Sequence, residues 1–173
     1  MTVRNSSANA GETRKHIVSA LVENKAGVLA RVAGLFSARG FNIDSLAVGE
    51  TEDPAFSRMT IVVAGDEATL EQVRKQLQKL INVVKVQDFS GTPAVERDLA
   101  LVRVNAPPAK RGPILELVQI FRARIVDVGA SDMIVEIVGS EDKVQALLDL
   151  LAPHGILEVA RTGRVAMARS QRE

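Results

Sequence analysis

The residues with the most to offer a small ligand lie in one run, Glu23-Asn24-Lys25-Ala26-Gly27-Val28-Leu29, where an apolar strand gives way to an amphipathic helix. The first N–H groups of a helix lack intrahelical acceptors and attract anions, a carboxylate among them. Gly27 has no Cβ to hold a ligand away from the main chain. Asn24 carries an amide with both donors and an acceptor, which suits a zwitterion. Asn42 and Ile43 open the next strand and offer a second amide and an apolar wall. Asparagine and glycine are also ordinary turn residues, so spacing alone leaves a ligand turn and a structural turn both open. The matching turn of the second half, Pro107-Pro108-Ala109-Lys110-Arg111-Gly112-Pro113, has no asparagine, which predicts that the halves differ in role.

Catalytic chemistry is sparse. The absence of cysteine excludes a disulfide scaffold, a thiolate metal site and a cysteine nucleophile. His16 and His154 lack the spacing of a metal pair and read as ordinary surface or edge residues. Glu52, Asp53, Glu141 and Asp142 fall in turns or at helix starts, where solvation and the helix dipole account for them. There is no Gly-x4-Gly-Lys phosphate loop, no Gly-x-Gly-x-x-Gly and no Gly-x-Ser-x-Gly elbow. The expectation is a chain with no catalytic and no metal-binding residues.

What must position the run is a strand–helix–strand–strand–helix–strand order that occurs twice. Residues 16–22 are rich in strand formers. Leu29, Val32, Ala33 and Phe36 recur at helical spacing and predict a buried stripe, ended at Gly40. Residues 41–48 and 57–64 read as a hairpin. Asp66 can cap a second helix with the stripe Leu70, Val73, Leu77 and Leu80, and residues 83–89 close the unit. The second half repeats the order with strands at 99–104, 125–128, 133–138 and 156–160. Its helical stripes are Ile114, Leu117, Val118 and Phe121, then Val144, Leu147, Leu148 and Leu151. Residues 59–67 match 133–141 at an offset of 74, and 35–39 match 120–124 at an offset of 85. The first copy should therefore carry the longer central hairpin.

Each copy has about 75 residues, a marginal size for one core. Both helices of such a unit cover one sheet face, and a second copy is the simplest cover for the other face or an edge. Dimerisation is expected on that ground. The net charge of +1 divides into +2 over residues 1–15, +2 over residues 164–173 and −3 over the body between them. A mildly acidic body with no Trp or Tyr excludes a nucleic-acid binder that works by a basic stripe and stacking platforms. No apolar run approaches the ~20 residues a membrane span needs. Residues 1–15 lack an apolar signal core. A cytoplasmic protein that engages neither membrane nor nucleic acid is expected.

Strand, then Glu23-Asn24-Lys25-Ala26-Gly27-Val28-Leu29, then helix resembles the opening of ACT domains, amino-acid-sensing βαββαβ modules. Arg31-Val32, Gly34-Leu35-Phe36-Ser37 and Arg39-Gly40-Phe41-Asn42-Ile43-Asp44-Ser45-Leu46 resemble the small, regulatory subunit of acetohydroxyacid synthase (acetolactate synthase). Asp53-Pro54, Ser57-Arg58-Met59-Thr60-Ile61, Val95-Glu96-Arg97-Asp98-Leu99 and Ile125-Val126-Asp127-Val128 fit the same pattern. The likeness runs from about His16 to about Ala168 and is to the short bacterial form.

The resemblance implies an α+β protein of two tandem ferredoxin-like βαββαβ units, the first an ACT domain. It implies a valine-sensing ACT domain over 16–90; the sequence itself predicts a disordered tail over 1–15 outside the family pattern, a linker over 91–97 with Thr92 and Pro93, a C-terminal ferredoxin-like domain over 98–163 and a basic tail over 164–173. The resemblance also implies a non-catalytic chain that activates a separate catalytic (large) subunit and confers feedback inhibition by valine in valine, leucine and isoleucine biosynthesis. That large subunit holds thiamine diphosphate (ThDP), Mg²⁺ and FAD and joins pyruvate to a 2-oxo acid; no cofactor is expected on this chain. By the family pattern, L-valine binds between the ACT domains of a homodimer. Asn24, Gly27 and the N–H groups of Val28 and Leu29 come from one protomer, Asn42 and Ile43 from the other. The rival is a stand-alone amino-acid-binding regulator of another enzyme or of transcription. Transcriptional control would need a helix-turn-helix and a basic face, and the sequence has neither.

Overall fold

The structure is a computed structural model and describes residues 13–170, so most of the tail expected over 1–15 lies outside the described residues. Two units follow one another, Met1–Pro93 and Ala94–Glu173. The first contains β1 (Arg14–Glu23), α1 (Val28–Ala38), β2 (Ile43–Glu50), β3 (Phe56–Gly65), α2 (Glu67–Gln78) and β4 (Val83–Asp88). Its antiparallel sheet has the order β2-β3-β1-β4, which makes β2 and β4 the edges. Alternate β1 residues Val18, Ala20 and Val22 share a core with the apolar stripes of both helices. Side chains of one strand face recur every second residue, and those of one helix face every third or fourth. In α1 the buried stripe is Val28, Val32 and Phe36; Val32 and Phe36 are as expected, but Val28, 4% exposed, takes the place of Leu29, 46% exposed. The helix starts directly after Gly27, so the i, i+4, i+8 face begins at Val28 and Leu29 turns about 100° away from it.

Asp66 caps α2, accepting from the Thr69 hydroxyl at 2.7 Å and the Thr69 N–H at 2.8 Å. Those two bonds hold its carboxyl below the usual carboxylate range. A depressed native pKa stabilises the fold above the unfolded value near 3.8, and that contribution is lost as pH falls through the depressed one. Asp66→Ala should therefore lower the melting temperature by a few degrees at pH 7 and by progressively less below about pH 3.8, a pattern that paired thermal melts would show.

The second unit contains β5 (Ala94–Asn105), α3 (Arg111–Ile120), β6 (Arg124–Val128), β7 (Asp132–Gly139), α4 (Glu141–Leu151) and β8 (Ile156–Arg161), with the sheet order β6-β7-β5-β8. The α+β class and the two βαββαβ units are as the sequence predicts. Two boundaries are not. The strand β5 starts at Ala94, inside the expected linker, because a further strand, β9 (Val165–Ala168), pairs with residues 94–97. β9 in turn lies inside the expected basic tail. Four residues are too few to display a period-two pattern, although Ala166 is buried at 6% exposed. Asp98, 2% exposed, accepts from Arg161 Nε at 2.9 Å and from Arg161 Nη2, tying β5 to the end of β8.

The two copies also align differently from their sequence match. Each first helix is closed by a left-handed residue, Gly40 (φ 67°) after α1 and Arg122 (φ 51°) after α3. The Phe41 N–H then donates to the Phe36 carbonyl, and the Ala123 N–H to the Val118 carbonyl. Phe36 is thus the counterpart of Val118, not of Phe121. Among the described residues no helix is long and apolar enough to cross a membrane.

Candidate functional site

Residues 24–27 make the turn between β1 and α1. The Asn24 N–H donates to the Ala55 carbonyl at 2.7 Å. Its side-chain Nδ2 donates to the Pro54 carbonyl at 3.0 Å and to Glu50 Oε1 at 3.1 Å. Both amide hydrogens are therefore committed to the β2–β3 hairpin, which leaves Oδ1 as the group suited to accept from a ligand ammonium. The sequence offers the whole amide, gives Pro54 only as part of the family pattern and does not single out Glu50. The signal for them is topological: β1 pairs with β3, with Glu23 opposite Phe56, so the end of β1 must meet the hairpin turn.

Gly27 takes φ 82°, and its carbonyl accepts from the Arg31 N–H at 3.0 Å. No side chain caps the helix, and nothing lies within 4 Å of where a Cβ on Gly27 would stand. The Val28 N–H bends back to the Lys25 carbonyl at 3.3 Å. The Leu29 and Ala30 N–H groups, in the first turn, have no intrahelical acceptor. Of the two main-chain donors expected here, Leu29 is thus the open one. This end of α1 is an uncapped, electropositive terminus reached through a glycine.

Asn42 and Ile43 lie beyond the other end of α1, whose 11 residues rise about 16 Å. Asn42 is exposed and donates from Nδ2 to Asp44 Oδ1 at 3.0 Å. Ile43 pairs with Val63 of β3 and packs against the core. One chain therefore brings Asn24, Gly27, Val28 and Leu29 together and holds Asn42 and Ile43 a helix length away.

The matching turn of the second unit is closed by its own side chain. Arg111 donates from Nε to the Ala106 carbonyl at 3.0 Å and from Nη2 to the carbonyls of Gly129 at 2.6 Å and Ala130 at 3.3 Å. A guanidinium thus ties the β5–α3 turn to the β6–β7 turn, where the first unit has an amide that keeps a free acceptor. His16 is buried rather than at the surface, with Nε2 3.0 Å from the Gly65 carbonyl and Nδ1 3.2 Å from Ser90 Oγ. His154 is half-buried in the turn before β8. A polar cleft of about 330 Å³ beside the start of α4 contains Arg164, which pairs with Glu96 and Glu141. Among the described residues no three His, Asp or Glu side chains converge as metal ligands.

Residues 18–85 match the family described as the AHAS small subunit-like ACT domain, and residues 97–170 the family described as the small subunit of acetolactate synthase. The chain is 59% identical over 159 residues to the probable acetolactate synthase small subunit of Archaeoglobus fulgidus, covering 92% of this chain and 99% of that protein. It is 51% identical over 160 residues to the acetolactate synthase small subunit of Mycolicibacterium smegmatis, covering 92% and 94%. The crystal structure of the acetolactate synthase small subunit from Thermotoga maritima matches with a TM-score of 0.83 at 46% identity, over 91% of this chain and 99% of that one. The uncapped glycine turn is thus the start of an ACT domain, and the chain belongs to the acetolactate synthase small subunit family.

Proposed function

We propose that this chain is the cytoplasmic regulatory partner of a catalytic acetolactate synthase subunit, raising its activity and making it inhibitable by L-valine bound between the ACT domains of a homodimer. ThDP, Mg²⁺ and FAD belong to that larger partner in this reading, as the small-subunit names of the relatives imply a large one. The observation that carries the valine site is the separation of its two halves along α1. Asn24 is tethered to Glu50 at one end of β2, while Ile43 stands at the other end, and β2 is a sheet edge. Antiparallel pairing of β2 with the β2 of a second copy brings Asn42 and Ile43 of that copy beside Asn24 and Gly27. The same pairing gives cover to Leu29 and Val48, 46% and 45% exposed. The valine carboxylate then faces the Leu29 N–H, its ammonium faces Asn24 Oδ1, and its methyl groups face Ile43 of the second copy.

A ligand that needs two chains must tighten their association. Saturating valine at 100-fold over Kd should stabilise the dimer by about 2.7 kcal/mol per site, read as a lower dissociation constant in sedimentation. Asn42→Ala should remove that response and leave the valine-free melting temperature nearly unchanged, since the Asn42 side chain is exposed and bonds locally to Asp44. An unmoved dissociation constant in the wild-type chain would exclude a site shared between protomers.

A further inference from the structure

The hairpin holds the ligand turn from the β3 side of β1. On the other side of β1 lies β4, and the residue just before that strand, Asn82, engages the turn through three of its own atoms. Its carbonyl oxygen accepts from the Glu23 N–H at 2.9 Å. Its Nδ2 donates to Glu23 Oε2 at 2.5 Å, and its Oδ1 accepts from Arg31 Nη1 at 2.7 Å. Lys25 Nζ lies 3.2 Å from the same Glu23 oxygen. Asn82 thus grips the residue that enters the turn and the residue whose N–H closes on the Gly27 carbonyl, and reaches the middle of the turn through Glu23.

We propose that Asn82 is a positioning residue of the amino-acid site, fixing the backbone of residues 24–27 so that the α1 start and Asn24 Oδ1 face one ligand. This rests on the reading of that turn as the valine site. Asn82 touches no ligand in this role; it acts through Glu23 and Arg31. Two polar ends of one small zwitterion must be met at once, and a binding constellation loosens when its supporting bonds are removed. The Asn82 amide, with Lys25, holds the Glu23 carboxyl below the usual carboxylate range. A residue that only clips the α2–β4 corner to the sheet would affect stability and leave valine affinity alone.

Calorimetric titration of the full-length chain with L-valine separates these roles. Asn82→Ala should weaken valine binding about tenfold, the scale of one charge-assisted hydrogen bond. Combined with Glu23→Gln the losses should fall well short of additive, since both variants disturb the one Asn82–Glu23 contact. Wild-type affinity in Asn82→Ala, or full additivity in the double variant, overturns the proposal. Arg31→Ala, an exposed change, covers the case of a poorly folded Asn82 variant: about threefold weaker binding is expected, and unchanged affinity counts against it. Gly27→Asp is the control for the underlying reading. If it too binds valine like the wild type, the turn is not the site; if it alone loses valine, only the role of Asn82 falls.

Discussion

Gly27→Asp is expected to abolish inhibition by valine in the assembled enzyme. The residue already holds φ 82°, a conformation that aspartate tolerates better than most side chains. A Cβ there meets nothing within 4 Å, so the new carboxylate projects into the space a ligand would use. Like charges about 4 Å apart cost roughly 1 kcal/mol in water and about 4 kcal/mol at an effective dielectric near 20. Close to the surface of a small pocket the upper part of that range applies, which raises Kd on the order of 10²–10³-fold. Valine titration of the holoenzyme is the measurement, and activation read in the same assay reports that the variant is folded and assembled. Gly27→Ala should lose much less, because it adds bulk and backbone strain without the charge. Wild-type inhibition in the aspartate variant would remove the turn from the site.

The second large effect concerns stability. Arg161→Ala should destabilise the second domain by about 1–3 kcal/mol, the usual cost of leaving a buried acceptor without its donor, since Asp98 is buried while the Arg161 side chain is 31% exposed. Asp98 is 2% exposed, its Oδ2 is held by Arg161, and its Oδ1 has no hydrogen-bond partner among the described residues. Without the guanidinium, a desolvated carboxylate remains at the start of the main strand β5. The denaturation midpoint of this domain should fall with an unchanged slope. A paired change to Asp98→Leu with Arg161→Met should recover most of the loss, because removing both charges leaves neither unpaired. A shift below about 1 kcal/mol in Arg161→Ala would show that the pair is screened like a surface one.

Most of the architecture was legible because periodicity and caps agree with one another. The stripe Leu70, Val73, Leu77 and the cap Asp66 place α2, and Val144, Leu147 and Leu151 place α4, each on the face that the structure buries. The expected stripe of α1 holds at Val32 and Phe36 but starts one residue late, because Leu29 is as apolar as Val28 and only the helix start at Gly27 decides between them. The sequence match of Phe36 with Phe121 misled for a related reason. A positive-φ residue sets the register of each helix end, and the second copy uses an arginine where the first uses glycine. β9 was missed because its pairing with residues 94–97 joins segments about 70 residues apart in sequence, and a four-residue strand carries no pattern of its own. At the candidate site, Asn24 and Gly27 announced themselves by type. Glu50, Pro54 and Asn82 did not, since ordinary polar and turn residues gain a role here only through which strand ends the sheet order brings together.

The edge strand β2 also governs how the chain behaves at high concentration. Between Asp44 and Glu50 it runs Ser45-Leu46-Ala47-Val48-Gly49, five residues without a charge or a proline. The other edges are better guarded: β4 carries Lys85, β6 carries Arg124 and Asp127, and β8 carries Glu158 and Arg161. Natural sheets rely on such charges to stop strands of different molecules from stacking without limit. With a net charge of only +1, long-range repulsion between molecules adds little protection. Covering the β2 edge is therefore expected to protect the chain from disordered aggregation as well as to complete the sheet.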